Sequence, residues 1–402
     1  MVSLRLRQFA WGLSAAVDLV GVTDLFHGRR VASIARDLAR HLAPCPWSED
    51  DILLAGMLHD CGVSNTEVHE HLLGEMEWSR ANDHCQRGAQ LLSGTARFRH
   101  LAEAVRLHHT RWADMGAPEA PTPDQWLGNL LFLADRVDVL AATSPGEILY
   151  SSQNLVATLA ALSPRLFNPQ FTDALKLASR VEAFWLIREE GALARSFEPW
   201  INAEASQELP WGEVRSLFEM YGECVDGKSS LTADHSRAVS RLSEELGRRC
   251  GLPKESVHKL ALAGLVHDIG KLRVPDRVLN YPGALVKEDF SIMKHHSFDA
   301  LDILCHIEGF EEVAEWASQH HERLDGSGYP FQVRGDKIPL ESRILAVADV
   351  FQALVQKRPY RPGMSQQEVL GILHREAEAG RLDSMVVGLL TQGVDHFMAL
   401  GG

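Results

Sequence analysis

The sequence predicts an all-α protein built as two tandem helical bundles, and three observations carry that expectation. Apolar residues recur at helical spacing over long stretches of the chain. No alternating β-branched run is long enough for a sheet. A set of seven residues able to ligate a metal occurs twice, in the same order. The first set is His27, His59, Asp60, His84, His108, His109 and Asp135; the second is His235, His267, Asp268, His296, His320, His321 and Asp349. Pairwise offsets of 208, 208, 212, 212 and 214 residues leave only small loop differences between the copies, the signature of a duplicated structural unit.

In chain order, Arg5 and Arg7 precede an apolar stretch from Phe9 to Val22 that loosely resembles a signal peptide. Asp18 interrupts it, and cleavage near Gly21 would fall just before His27, so the segment reads as an ordinary first helix. Val31–Leu42, Asp50–Leu58, Leu231–Leu246 and Ser256–Val266 carry the helical periodicity of the two bundles. The correspondence extends past the ligands: Arg29, Val31 and Leu38 match Arg237, Val239 and Leu246, and Ala55-Gly56 matches Ala263-Gly264. Gly264, three residues before His267, is expected to let another helix approach closely. A length of 402 residues suits two units, each large enough for its own core. The expected division is 1–183, a helical connector over 184–220, and 221–402, with the weak turn at Glu208-Leu209-Pro210 as the favoured boundary.

Composition narrows the function classes. With 45% hydrophobic and 23% charged residues the chain resembles an ordinary soluble protein. A net charge of −14 argues against DNA or RNA as partners, which call for a basic surface. The six cysteines form no CxxC pair and no zinc-ligand spacing, which reads as a reduced, cytoplasmic protein. No run of eighteen or more apolar residues occurs, so no membrane span is expected.

A hydrolytic metal centre calls for several neutral imidazoles and a carboxylate able to bridge two ions, as adjacent His-Asp on a buried helix would provide. A lone histidine on an apolar face is usually a satisfied core residue. Ten of the nineteen histidines fall in the two matched sets, which favours ligation for those ten. His41, His69, His71, His100, His258, His306, His374 and His396 have no repeat partner and read as ordinary surface or core residues. His296 is selected over its neighbour His295 by matching His84. Imidazole and carboxylate without thiolate suit iron, manganese or zinc.

The second copy carries three further motifs: His267-Asp268-Ile269-Gly270-Lys271, His320-His321-Glu322-Arg323, and Asp325-Gly326-Ser327-Gly328-Tyr329-Pro330. Over residues 221–402 it resembles the HD-GYP family, a subgroup of the HD metal-dependent phosphohydrolases. The resemblance implies a phosphodiesterase that opens cyclic di-GMP or 3',3'-cyclic GMP-AMP to a linear dinucleotide or to mononucleotides. It implies two divalent ions in the second domain, iron or manganese first and zinc third, with Asp268 bridging them and catalytic. Some members hold a third ion through a Glu four residues before the first His; Leu231 stands there, so two ions are expected.

Lys271 lies three residues after Asp268, on one face if the helix continues, and is expected to be catalytic by supporting the phosphate. Tyr329 in the Gly-rich loop is expected to stack or hydrogen-bond on the substrate, and Arg358 and Arg361 to meet phosphate or the guanine edge. Where the family often carries Asp three residues after the last ligand, this chain has Gln352, with Asp138 at the equivalent place in the first copy. That departure is expected to bear on how substrate is held. The resemblance also brings in a diguanylate-cyclase-type protein as a candidate partner.

The first copy keeps all seven ligand types and resembles a general HD domain, a second candidate metal site without the surrounding motifs. Val63 stands for Lys271, Thr110 for Glu322, and the loop from Arg111 to Pro123 has no Gly-Tyr-Pro. Two other classes of function compete with hydrolysis of a cyclic dinucleotide: a non-hydrolysing dinucleotide-binding or protein-docking module, and a mononucleotide phosphohydrolase.

Overall fold

The computed structural model describes the chain apart from residues 22–25, 64, 117–119, 144–146, 229–233, 358–362 and 402. Leu231, Arg358 and Arg361 therefore lie outside the described residues. The described chain divides into two compact units, one of Arg5–Gln207 and one of Glu208–Gly402 with Met1–Leu4. Both are helical. The one sheet among the described residues is a pair of three-residue strands, Val2–Leu4 and Gln207–Leu209, too short for the periodicity of the sequence to reveal.

The first unit runs through α1 (Leu6–Val17), α2 (His27–Ala39), α3 (Glu49–Leu58), α4 (Thr66–Gly74), α5 (Ala81–Ser93), α6 (Ala102–Leu107), α7 (Pro123–Thr143), α8 (Ile148–Ala161), α9 (Pro169–Ala178), α10 (Ala183–Leu186) and α11 (Glu190–Asn202). The second runs through α12 (Trp211–Asp226), α13 (His235–Arg249), α14 (Lys254–Val266), α15 (Asp276–Leu279), α16 (Lys287–Leu304), α17 (Glu311–Ser318), α18 (Leu340–Val355), α19 (Gln366–Glu378), α20 (Ser384–Gln392) and α21 (Val394–Gly401). The apolar start of the chain is α1, as its interruption by Asp18 suggested; Asp18 caps it.

The segment expected as a connector is divided between the units. Phe184, Trp185, Leu193 and Phe197 are buried, Phe197 lies 5.4 Å from Trp11, and Arg188 pairs with Asp37 at 2.8 Å, so α10 and α11 complete the first unit. In the second, α12 buries Val214, Leu217 and Tyr221, and its Phe218 packs 5.2 Å from Phe310. The mixed polarity that made this stretch look like a linker belongs to two amphipathic faces docked on different cores.

Each unit is organised around one buried helix. In the first this is α3, whose residues Ile52–Leu58 are all buried. Ser48 accepts the Asp51 N–H at its start, and Glu49, Asp50 and Asp51 lie in the first turn, complementing the helix dipole. Crossing α2 needs glycine: a Cβ on Gly56 would come within 2.4 Å of Ala32 Cα. The second unit repeats the arrangement, a Cβ on Gly264 reaching 2.7 Å from Ser240 Cα, so the expected close helix approach is present in both copies. Among the described residues no helix is long and apolar enough to cross a membrane.

Candidate metal centres

Both buried helices end on the His-Asp pair: α3 stops at Leu58 before His59, and α14 at Val266 before His267. The chain then turns beside a histidine of a later helix, His84 of α5 or His296 of α16, past glycines that have no room for a side chain. A Cβ on Gly270 would sit 2.2 Å from the His296 carbonyl oxygen, and one on Gly62 2.0 Å from that of His84. These tight turns bring the pair against the remaining ligands.

All seven residues of each repeated set converge. In the second unit His235, His267 and Asp268 form one group, and His296, His320 and His321 another. Asp349 reaches the first of these, its Oδ1 standing 3.4 Å from His235 Nε2 and 3.8 Å from His267 Nε2. Asp268 joins the halves: Oδ2 lies 3.6 and 3.4 Å from Nε2 of His235 and His267, while Oδ1 lies 3.7 and 3.9 Å from Nε2 of His296 and His320. Asp60 does the same in the first unit. Its Oδ2 lies 3.8 and 3.5 Å from Nε2 of His27 and His59, and its Oδ1 3.2 and 3.5 Å from Nε2 of His84 and His108. Asp135 closes the His27 side at 3.4 Å.

The rings are oriented from behind. Nδ1 of His267, His296 and His320 faces the carbonyls of Gly264, Met293 and Ala317 at 2.9, 2.6 and 2.6 Å. A carbonyl only accepts, so each Nδ1 carries the proton and each Nε2 presents a lone pair to the centre. His59 and His108 are held in the same way by Gly56 and Val105 at 2.8 and 2.5 Å. The consequence is nitrogen facing nitrogen, at 3.3 Å between His235 and His267 and 3.4 Å between His296 and His320. Asp268 Oδ1, Asp60 Oδ1 and His59 Nε2 are buried without a hydrogen-bond donor. Buried lone pairs aimed at one another are costly unless a cation lies among them, so this donor set fits divalent metal.

The electrostatics of the two centres differ. In the second, burial holds His267, His320 and His321 below the usual imidazole range, and burial with the Lys271 charge takes His296 to about 4. Those four imidazoles stay neutral, the form a ligand needs, whereas at His235 burial opposes the charge but the Asp349 hydrogen bond and the Asp268 charge outweigh it and raise it. In the first, burial likewise lowers His59, to about 4, but His84 rises to about 9: burial opposes the charge there, and the neighbouring Cys85 and Asp60 outweigh it.

The surroundings of the second centre depart from the sequence reading in two places. Helix α14 does not continue through Lys271; residues Ile269–Arg273 form a 3₁₀ turn, in which positions three apart eclipse. Lys271 Nζ consequently lands 2.5 Å from Asp268 Oδ2. Gln352 does not face a substrate: its Oε1 accepts from His235 Nδ1 at 2.5 Å, behind the ligand, as Asp138 does from His27 at 2.8 Å. Helical spacing alone could not say which side of the ligand that residue would occupy. In the first unit a thiol to which no cysteine spacing pointed stands beside the ligands, Cys85 Sγ lying 3.7 and 3.9 Å from Nε2 of His84 and His108.

The Gly-rich loop is clamped by Glu322, which accepts the N–H groups of Phe331, Gln332 and Val333 at 2.7–3.1 Å. A Cβ on Gly328 would meet the backbone of Glu322 and Arg323 at 2.5 Å, so the loop lies directly on the His-His segment. Tyr329 packs 4.8 Å from the His321 ring, and Phe290 of α16 meets it edge-on at 5.9 Å. Lys294 stands 4.9 Å over Phe290 and 5.5 Å over Tyr329. Sequence reasoning missed Phe290 and Lys294; they lie before His296 on α16 at helical spacing, the one signal that could have found them. In the first unit the corresponding mouth is strapped by Glu77, which pairs with Arg111 at 2.6 Å and Arg165 at 2.7 Å, beside a cavity of about 370 Å³ lined by His109 and Trp78.

Residues 219–386 match a family model described as an HD domain, and residues 25–140 match a second HD-domain model. A Vibrio cholerae protein named 3'3'-cGAMP-specific phosphodiesterase 1 is 36% identical over 99% of this chain and 94% of its own length. A Xanthomonas campestris cyclic di-GMP phosphodiesterase response regulator is 36% identical over 44% of this chain and 48% of its own. The crystal structure of a cyclic GMP-AMP specific phosphodiesterase from Vibrio cholerae superposes with a TM-score of 0.65 at 20% identity, covering 98% of both chains, and shares the fold. Fold and centres thus define a protein of two HD domains. With the His-Asp-Ile-Gly-Lys and Gly-Tyr-Pro motifs in its second domain, the chain belongs to the HD-GYP family, and its first domain is a divergent HD domain.

Proposed function

We propose that this chain is a metal-dependent phosphodiesterase that opens a cyclic dinucleotide at the second centre. The observation that carries the reading is Asp268, which offers one oxygen to each half of a cage of inward lone pairs while Lys271 holds a positive charge against it. His235, His267, Asp268 and Asp349 would hold one divalent ion, and His296, His320, His321 and the other Asp268 oxygen a second. Such ions supply Lewis-acid charge at phosphorus and a water-derived nucleophile near neutral pH.

The chain's own residues do the rest. Lys271 orients the Asp268 carboxylate and places a cation where a non-bridging phosphate oxygen gathers charge. Burial raises the Tyr329 phenol above its usual range, so it remains a hydrogen-bond donor beside the centre. Phe290, Tyr329 and Lys294 form a rim on which a purine can stack with its phosphate near a cation. Water adds across one phosphodiester, the P–O bond to the ribose breaks, and a linear dinucleotide with a terminal phosphate results.

Of the two candidate substrates, 3',3'-cyclic GMP-AMP is favoured, because the relative matching nearly the whole chain is named for it, whereas the cyclic di-GMP regulator matches less than half. The test is incubation of chelator-stripped protein, reloaded separately with iron or manganese, with each dinucleotide. Chromatography should show linear product from cyclic GMP-AMP faster than from cyclic di-GMP, and none without metal. Binding of both without any product would sink the hydrolytic reading in favour of a binding module.

A further inference from the structure

The half of the first centre formed by His84 and His108 contains a donor that its counterpart lacks. Cys85 Sγ lies 3.7 Å from His84 Nε2 and 3.9 Å from His108 Nε2, and those two nitrogens are 3.1 Å apart. Asp60 Oδ1 stands 3.2 and 3.5 Å from the same nitrogens, is shielded from solvent and accepts no hydrogen bond. His84 and His108 are 3% and 0% exposed, and Cys85 is fully buried. At the equivalent place in the second centre stands Ser297, whose Oγ is 3.2 Å from His296 Nε2. The duplicated scaffold thus carries a hydroxyl at one centre and a thiol at the other.

We infer that Cys85 is a metal ligand, and that the first centre holds a thiophilic divalent ion, zinc above the others, with the Cys85 sulfur joining the Asp60, His84, His108 and His109 cluster through its approach to His84 and His108. Bonds of about 2.3 Å to sulfur and about 2.0–2.1 Å to imidazole, at a tetrahedral angle, place sulfur and nitrogen about 3.5 Å apart and the two nitrogens about 3.4 Å apart. The observed spacings of 3.7 and 3.9 Å from sulfur to nitrogen and 3.1 Å between the nitrogens lie within about 0.4 Å of those values. Softness points the same way, since thiolate strengthens the preference for zinc over manganese beyond what imidazole and carboxylate give. Binding converts the thiol to thiolate: the S–H contact to the Ala81 carbonyl, 3.2 Å away, is given up, and the proton passes to solvent as sulfur donates its pair to the ion. Val63 stands in place of Lys271 and the Glu77 pairs with Arg111 and Arg165 strap the mouth, which suits a structural ion. The inference does not rest on the activity proposed for the second centre.

Cobalt(II) is the probe. The full chain, stripped by chelator and kept reduced, is titrated with cobalt(II) and followed from the near ultraviolet to the visible. A thiolate-to-cobalt charge-transfer band is expected in the wild type and in Asp268→Ala, in which the second centre is disabled. Cys85→Ser, which installs the residue of the second copy, should lose that band while keeping the visible ligand-field bands; Cys61→Ser should keep both. Absence of the band from the wild type, its survival in Cys85→Ser, or its loss in Asp268→Ala would each overturn the assignment. Zinc-edge X-ray absorption on Asp268→Ala gives a check that needs no cysteine variant: a sulfur scatterer at about 2.3 Å supports the site, and nitrogen and oxygen scatterers alone refute it.

Discussion

The two centres share a frame and differ in what surrounds it. Each has a carboxylate with one oxygen for either half, imidazoles held from behind by helix carbonyls, and a glycine that lets the ligand helix be crossed closely. Around the second stand Lys271 on Asp268 and a loop clamped by Glu322. Around the first stand Val63, Cys85 and a salt-bridged strap on Glu77. The difference teaches that one ligand cage can be set in two different surroundings. Among the described residues, a cation beside the bridging carboxylate and a loop clamped on a buried glutamate stand at the second copy alone.

The largest expected effect tests that difference directly. Asp268→Ala should lower turnover of the cyclic dinucleotide by at least about 10²–10³-fold, while Asp60→Ala should leave it within about threefold of wild type. Rates for the two variants in parallel decide it; equal losses would make the first centre catalytic. Next comes Lys271→Met, expected to lower kcat by about 10²-fold with metal content unchanged by elemental analysis. The reciprocal Val63→Lys should create no activity in a chain whose second centre is disabled, because the first copy's sequence has no Gly-Tyr-Pro loop and no glutamate at Thr110.

A smaller effect is expected behind the ligands. Asp138 places a carboxylate on His27 Nδ1, whereas Gln352 places a neutral amide on His235 Nδ1. Gln352→Asp should raise the basicity of His235 and tighten metal at the second centre by about 10-fold, and Asp138→Asn should weaken the first by about 10- to 100-fold. Competition against a chelator of known affinity reads both. The smallest effects are structural. Glu322→Gln removes the charge on which three backbone N–H groups converge, so the loop should loosen at a cost of about 1–3 kcal/mol and KM should rise more than kcat falls. Gly56→Ala and Gly264→Ala should each cost about 1–3 kcal/mol by overpacking, similarly in the two units, as thermal or denaturant unfolding would show.

Much of this molecule is legible in its sequence because the decisive signals are local or repeat at a fixed offset. Helical periodicity marks α3 and α14, a doubled set of His and Asp marks the centres, and Gly56 and Gly264 mark the helix crossings. Lys271 reaches Asp268 through a 3₁₀ turn and not a continued helix, since positions three apart align in either. Ligand types, their order and the asymmetry of motifs between the copies were thus determined by the sequence alone. What only the tertiary structure decided is which atoms face each other across elements distant in the chain. Cys85 is one residue from His84, yet what matters is its approach to His108 from α6. Gln352 turns behind His235, Glu322 gathers N–H groups from a loop nine to eleven residues away, and α10 and α11 join the first core instead of bridging two. These depend on the register with which buried helices pack, where a displacement of one position along a helix turns a side chain by about 100° and exchanges a ligand for a core residue.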